Sequence, residues 1–435
     1  SICQFGGVRA VSEVSGAVSE TIAGDGWIPR HIPRVTTSLQ DDLASRLPSI
    51  QDAFAAVLEA YCEPGCGITA ICERLGVHRK LAWQVRGVAY GTDPFKTVRM
   101  MPSPAGVETL AGAIEAREGG GELARRVRAA TAEFDELVRE HAEDRSSLEM
   151  LAEASVGDDQ AELRWREQAF RGNSFIWGVQ ARALVTVLAL HPSRDRAGWL
   201  DLMQVRGLVN LTRVRPDVRW LVGQSVILDD RAVAQAPARE PLDARAAEAM
   251  GGVPVLSEFC SKPLPKLVRT PVQGGMLHDE LLPAPVGQSG QQSIYIGEII
   301  RNLGAAHATE QDRVAHFGCA IRTPAQMLVY DHLVHRELFR GVERELCVFG
   351  EMNSPATFDD NDLLPTKERL VRLGPGIARA RCAELPGHVE MLKTLLAKAG
   401  WDPDDFEHFR VRMPYPPLPA SVMIRHALPE PRAGG

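Results

Sequence analysis

The spacing of apolar residues changes near residue 175 and does not change back, and this restricts the fold more than any other feature of the chain. Before that point apolar side chains recur every three to four residues, as in Ile50, Phe54, Val57, Leu58 and Tyr61, the period that gathers side chains on one face of an α-helix. After it come short strand-like stretches, the first two rich in Val and Leu with some alternation: FIWGVQARALVTVLALH, WLDLMQVRGLVNLTRV, VRWLVGQSVI, QSIYIGEII, ELCVFGEM, FRVRMPY and ASVMIRH. These read as strands, and the first two, joined by the polar loop PSRDRAG, are expected to pair antiparallel. Helix is scarcer there, clearest in HVEMLKTLLAKAG, where Gly400 sits as a C-terminal cap. MLVYDHLVHREL fits a strand or a helix equally well. Helices first and strands after predict an α+β multidomain fold whose C-terminal domain holds a largely antiparallel sheet.

Length adds a second constraint. At 435 residues the chain exceeds what one hydrophobic core organises, so two or three domains are expected. Residues 1–34, with GDGWIPRHIPR, have no period and read as an irregular arm. Residues 35–100 read as a helical domain. It has a helix capped by Thr37 or Ser38 and running to about Leu47, a second from Ser49 beyond Pro48, then Ile68–Leu75 and Arg79–Ala89. The Pro-marked segments TDPF and MPSP stop that run. Residues 101–172 read as a helical connector and 173–435 as the α+β domain. In the connector Leu123, Val127, Ala130, Phe134 and Leu137 are followed, after His141 and Asp144, by Leu148 and Leu151. That alternation of four and three is a heptad seam, suited either to a homodimer through a two-helix coiled coil or to a helix packed on its own domain.

The longest apolar run, Ala183 to Leu190, is too short to cross a bilayer, and the first residues have neither a basic nor a continuous apolar stretch of an export signal. No membrane span and a cytoplasmic location are therefore expected. The eight cysteines are irregularly spaced, which argues against a disulfide framework and for free thiols.

Charge is unevenly distributed. Residues 64–100 carry Arg74, Arg79, Lys80, Arg86, Lys96 and Arg99 against Glu73 and Asp93, a net +4 in a chain of net −7, whereas 101–172 is acidic. A local cationic surface is what a nucleic-acid reader requires. Within it lies ITAICERLGVHRKLAWQV, whose second helix puts Leu81, Ala82, Val85, Val88 and Ala89 on one side and Arg79, Trp83, Arg86 and Tyr90 on the other. Cys72, Leu75, Gly76, Val77, Ala82 and Val85 follow a pattern in which a small residue precedes a turn glycine by four places and apolar residues flank it. Over roughly twenty residues this resembles the helix-turn-helix of bacterial DNA-binding proteins. It departs from that pattern at Cys72, where alanine is commonest, and at Ala82, where a β-branched residue is usual. The resemblance implies that Arg79–Ala89 enters the major groove N-terminus first. His78, Arg79, Lys80, Trp83 and Gln84 would then meet base edges, Arg86 and Lys96 would meet phosphates, and the RHIPR arm (Arg30 to Arg34) would add backbone or minor-groove contacts.

Other constellations carry less. Cys62, Cys66, Cys72 and His78 give C-x3-C-x5-C-x5-H, without the tight C-x2-C of zinc knuckles, so structural thiols and no metal are expected. His332 and His335 would point to opposite faces of a strand, and the segment is not H-E-x-x-H. His278 to Glu280 and Asp359 to Asp362 read as acidic loops, the latter lacking the Gly and terminal Glu of a calcium loop. No phosphate-binding or nucleophile-elbow motif is present, so no catalytic residue and no cofactor is predicted. The expected function is sequence-specific binding of double-stranded DNA by a transcriptional regulator of bacterial type, with a small-molecule or protein effector at the C-terminal domain. A scaffold whose helical module binds protein, or an enzyme with its site in 173–435, are the alternatives.

Overall fold

A computed structural model of the chain describes residues 39–156, 159–226, 237–272, 276–310, 312–351, 358 and 360–431. The fold is α+β, with ten α-helices among the described residues and one large mixed sheet. The described residues form two compact units that divide between Glu162 and Leu163. The arm carrying Arg30 to Arg34 lies outside the described residues, as does Asp359. No helix among the described residues is long and apolar enough to cross a membrane.

The helical unit contains α1 (Leu39–Tyr61), α2 (Ile68–Leu75), α3 (Arg79–Ala89), α4 (Pro94–Val98), α5 (Pro104–Glu115), α6 (Gly121–His141) and α7 (Arg145–Val156). Where the sequence predicts two helices parted at Pro48, α1 runs straight through the proline. A proline inside a helix costs about 3 kcal/mol, but Leu43, Leu47, Ile50 and Phe54 form one buried stripe across it. Each fully buried side chain of that size contributes about 1.5–3 kcal/mol, so continuity wins. TDPF also behaves differently from a simple stop. Asp93 Oδ1 accepts from the N–H groups of Phe95 and Lys96 at 3.0 and 3.3 Å and caps α4, with Pro94 in the first turn where its missing N–H is harmless.

Residues 101–156, read from the sequence as a connector, share one core with the segment before them. Helix α6 packs on α1 and α5. Its Val127, Ala130, Phe134 and Leu137 are buried in that core with Phe54, Ile71, Leu81 and Val85. Of the two arrangements open to the heptad seam, the structure has the helix packed on its own unit. An ion pair from Arg46 to Glu140 at 2.6 Å and a hydrogen bond between His141 and Asp42 at 2.7 Å join the same helices.

The second unit contains α8 (Asp159–Trp177), β1 (Val179–Pro192), β2 (Trp199–Arg213), β3 (Trp220–Val226), β4 (Arg239–Pro241), α9 (Ala244–Ala249), β5 (Leu267–Val272), β6 (Met276–Leu281), β7 (Gln292–Ala305), β8 (Val314–Ile321), β9 (Ala325–His335), β10 (Glu345–Phe349), β11 (Val371–Pro375), α10 (His388–Ala399), β12 (Phe406–Pro414) and β13 (Ala420–Ala427). The large sheet has the order β11-β12-β9-β1-β2-β7-β4, and two three-stranded sheets have the orders β10-β13-β8 and β3-β6-β5. Every named pair is antiparallel except β1 with β9. β1 and β2 form the predicted hairpin, with Leu184 opposite Leu208 and His191 opposite Asp201.

The apolar run Ala183–Leu190 is buried at every position, because β1 sits mid-sheet with both faces covered and has no solvent face to alternate toward. The FIW that the sequence assigns to a strand is instead the last turn of α8. Gly178, at φ 75°, ends that helix by donating its N–H to Ser174 O at 2.9 Å, and the strand starts one residue later. The ambiguous MLVYDHLVHREL contributes β9 up to His335. Helix α10 is closed by Gly400 at φ 71°, as predicted.

Candidate functional site

The cationic segment is built by the junction of α2 and α3. Gly76 adopts φ 70° and returns its N–H to Cys72 O at 2.8 Å, which lets the chain turn sharply and bury Val77. His78 then caps α3, its Nδ1 accepting from Leu81 N–H at 3.2 Å. In this arrangement the ring carries its proton on Nε2, and half of its hydrogen-bonding capacity belongs to the cap. Leu81, Ala82, Val85, Val88 and Ala89 face the core.

The opposite face is open. His78, Arg79, Lys80, Trp83, Arg86 and Lys96 are exposed, Gln84 is half-buried, and Tyr90 joins them. Trp83 and Tyr90 keep 49% and 53% of their surface, unusual for two aromatic side chains on one helix face. Between them and Ile68, Arg86, Lys96 and Met100 lies a shallow cleft of about 370 Å³. Arg79, Lys80 and Arg86 have no ion-pair partner among the described residues, whereas Lys96 stands 3.8 Å from Asp93 and Arg99 is held by Glu153 at 2.8 Å. The predicted contacts thus share one surface, with Arg79, Lys80 and Arg86 its uncompensated charges.

The cysteines do not build a site. Cys62, Cys66, Cys72 and His78 do not converge on a common point among the described residues. Burial, then the adjacent Cys66, pushes the Cys62 thiol up to about 11, which keeps it protonated. Asp42, Glu140 and His141 do approach one another within 4.8 Å, a grouping the sequence reading missed, but Arg46 is paired with Glu140 and His141 with Asp42.

In the second unit Asp331 on β9 is a fully buried carboxylate. It accepts from Arg410 Nε and Nη2 at 2.6 and 2.8 Å and from His388 Nε2 at 2.5 Å, and His408 Nε2 lies 2.9 Å away. Burial alone would raise this carboxyl's pKa; the donors prevail and hold it far below the ordinary carboxylate range. Arg410 also donates to the carbonyls of Ala380 and Arg381, so the cluster ties β9 and β12 to α10 and to the segment before it. His332 next in sequence is fully buried with both ring nitrogens unpaired, and burial keeps it neutral. This is an internal fastening.

A cavity of about 790 Å³ opens in the same unit, walled by β1, β2, β3, β7 and β8. Leu184, Leu208, Val222, Ile294, Ile296 and Leu328 supply apolar surface. Its charged lining is Arg206, Arg219 and Arg322 against Glu280 and Glu351. A space of this size with few polar groups is typical of a small-molecule site. Sequence reasoning missed it; the available signal was an arginine inside the apolar strand LMQVRGLV.

No family model matches the chain, and no curated protein matches it. A solved structure from Parabacteroides distasonis, described as a "putative protease", aligns with 58% of this chain at 8% identity and a TM-score of 0.24. The chain covers 41% of that protein's length. The two share too little geometry at that level to carry an argument.

Proposed function

We propose that the chain is a sequence-specific reader of double-stranded DNA, a transcriptional regulator of bacterial type, in which α2 and α3 act as a helix-turn-helix and α3 enters the major groove. The observation that carries this reading is the first turn of α3. Arg79 and Lys80 stand at the positive end of the helix dipole with no acidic residue beside them in that turn. A cation so placed opposes the dipole by about 0.3–1 kcal/mol. Such a local conflict is characteristic of functional positions, and it is relieved when a polyanion arrives at that helix end.

In the groove, Arg79 and Lys80 pair with guanine edges, Gln84 with adenine, and the Trp83 ring packs on thymine methyls, while Arg86 and Lys96 meet phosphates. The second unit serves as the effector-binding part. A selection from random duplexes at two salt concentrations tests the proposal: an enriched consensus that persists at the higher salt is expected, and recovery of random sequence at both would overturn it.

The exposed Trp83 and Tyr90 beside their cleft favour a second reading, in which the same face docks a protein segment. That reading expects no DNA retention at low salt and a stoichiometric protein complex abolished by Trp83→Ala.

A further inference from the structure

We propose that the cavity walled by β1, β2, β3, β7 and β8 binds a small amphipathic organic monoanion, its carboxylate seated on Arg206 and its apolar body along Leu184, Leu208, Ile294 and Ile296. The argument is one of charge balance. Of the three arginines lining the cavity, Arg219 is paired with Glu280 at 3.0 Å and Arg322 with Glu351 at 3.7 Å. Arg206 has no carboxylate partner among the described residues. The side-chain amide of Gln204, its neighbour on β2, lies against Arg206, and once turned about its last bond so that oxygen and nitrogen exchange places its oxygen accepts from Arg206 Nε and Nη2. An amide supplies lone pairs but no charge, and it leaves three of the five guanidinium N–H groups unoccupied.

The surrounding groups do not remove the imbalance. Glu298 on β7 is near enough to favour the Arg206 charge, but its carboxylate is bonded to Arg239 at 2.5 Å and so is shared between two cations. Cys319, also on the cavity wall, is kept as a neutral thiol, since burial pushes it up to about 11. Arg206 itself is enclosed deeply enough for loss of solvent to pull its pKa down from the ordinary arginine value. Arg206 is half-buried, and a cation that has lost much of its water without gaining a counter-charge is costly; proteins keep one where a ligand completes it. The excess is a single charge, so a monoanion fits better than a dianion. A planar guanidinium matches a carboxylate, and the apolar walls require a hydrocarbon body.

Trp220 lines the cavity, its Nε1 donating to Thr323 Oγ1 at 2.9 Å, and Trp177 meets it edge-on at 6.2 Å between ring centroids. Tryptophan fluorescence of the full-length protein therefore reports occupancy directly, with no DNA present. Titration with sodium decanoate should give a saturable change and a raised melting temperature, with decan-1-ol at least tenfold weaker and decylamine weaker still. Arg206→Gln should abolish the preference for the acid over the alcohol while melting at the wild-type temperature or above it, because it removes a half-buried cation that has no counter-charge. Leu208→Trp, which fills the apolar part, should weaken both ligands. Equal affinity for acid and alcohol in the wild type, an acid preference that survives Arg206→Gln, or no saturable binding of decanoate at millimolar concentration would each overturn the assignment.

Discussion

Asp331 and Arg410 are register partners on β9 and β12, and the guanidinium grips the carboxylate through two nitrogens, at 2.6 and 2.8 Å, where neither side chain has appreciable contact with water. On the neighbouring pair of strands Arg372 and Glu407 make an ion pair of similar length, 2.8 Å, but in the open. Distance alone would rank the two alike; burial separates them.

Arg410→Ala leaves a buried carboxylate short of its cation and should cost about 3–5 kcal/mol. Arg372→Ala should cost less than about 1 kcal/mol. Urea denaturation of the two variants measures the contrast, and similar losses would show that the buried cluster is not the fastening described above.

Acid should loosen the second unit in two stages. Burial lowers the pKa of His316 and His426 to about 4, from an ordinary value of 6.5. Between those values the unfolded chain takes up protons that the folded chain refuses, so stability is complete above pH 6.5 and falls as the pH drops toward 4. Asp331, whose folded pKa is depressed, adds a further loss once the pH falls below the ordinary carboxyl value of 3.8. His426→Phe should flatten the first stage in melting curves recorded across that range; an unchanged slope would exclude this histidine as a contributor.

The α6 seam gives a prediction that distinguishes internal packing from dimerisation. Phe134 is 2% exposed within the core of the helical unit. Phe134→Ala should therefore destabilise by about 3–5 kcal/mol with no change in solution mass. A halved mass with an unaltered melting temperature would move the residue to an interface between copies.

If α3 reads DNA, alanine at both Arg86 and Lys96, the phosphate contacts, should weaken binding and reduce the steepness of its salt dependence by about 1.8 in the logarithmic slope, roughly 0.9 for each lost contact. Anisotropy titrations at several salt concentrations measure this. Unaltered affinity would remove both residues from the interface.

Much of this architecture can be read from the residues. The bounds of α2 and α3 coincide with those expected, because Gly76 and a one-sided apolar pattern leave little freedom. β1, β2, β3, β7, β10, β12 and β13 stand out as strand-like segments, the first two of them Val- and Leu-rich. β4, β5 and β11 are short and largely or wholly outside the core, so neighbouring strands and not their own pattern determine them. The Asp331 cluster was illegible as a constellation, since positions 331, 388, 408 and 410 meet only through the pairing of β9 with β12 and the docking of α10. What could be read is the anomaly: Asp331 in MLVYDHLVHREL and Arg206 in LMQVRGLV each place a charge in a strand otherwise fit for complete burial. Among the described residues Asp331 has an ion-pair partner in Arg410, whereas Arg206 has no carboxylate bonded to it.

The parallel junction of β1 with β9 has a consequence for biosynthesis. β1 can zip to β2 as soon as residue 213 has left the ribosome, yet its other edge must wait for residues 325–335. During that interval an eight-residue run, apolar but for Thr186, presents unsatisfied backbone groups to whatever is nearby. Messages truncated between those points should yield insoluble fragments, and chaperone demand during translation should fall once the ninth strand has been made.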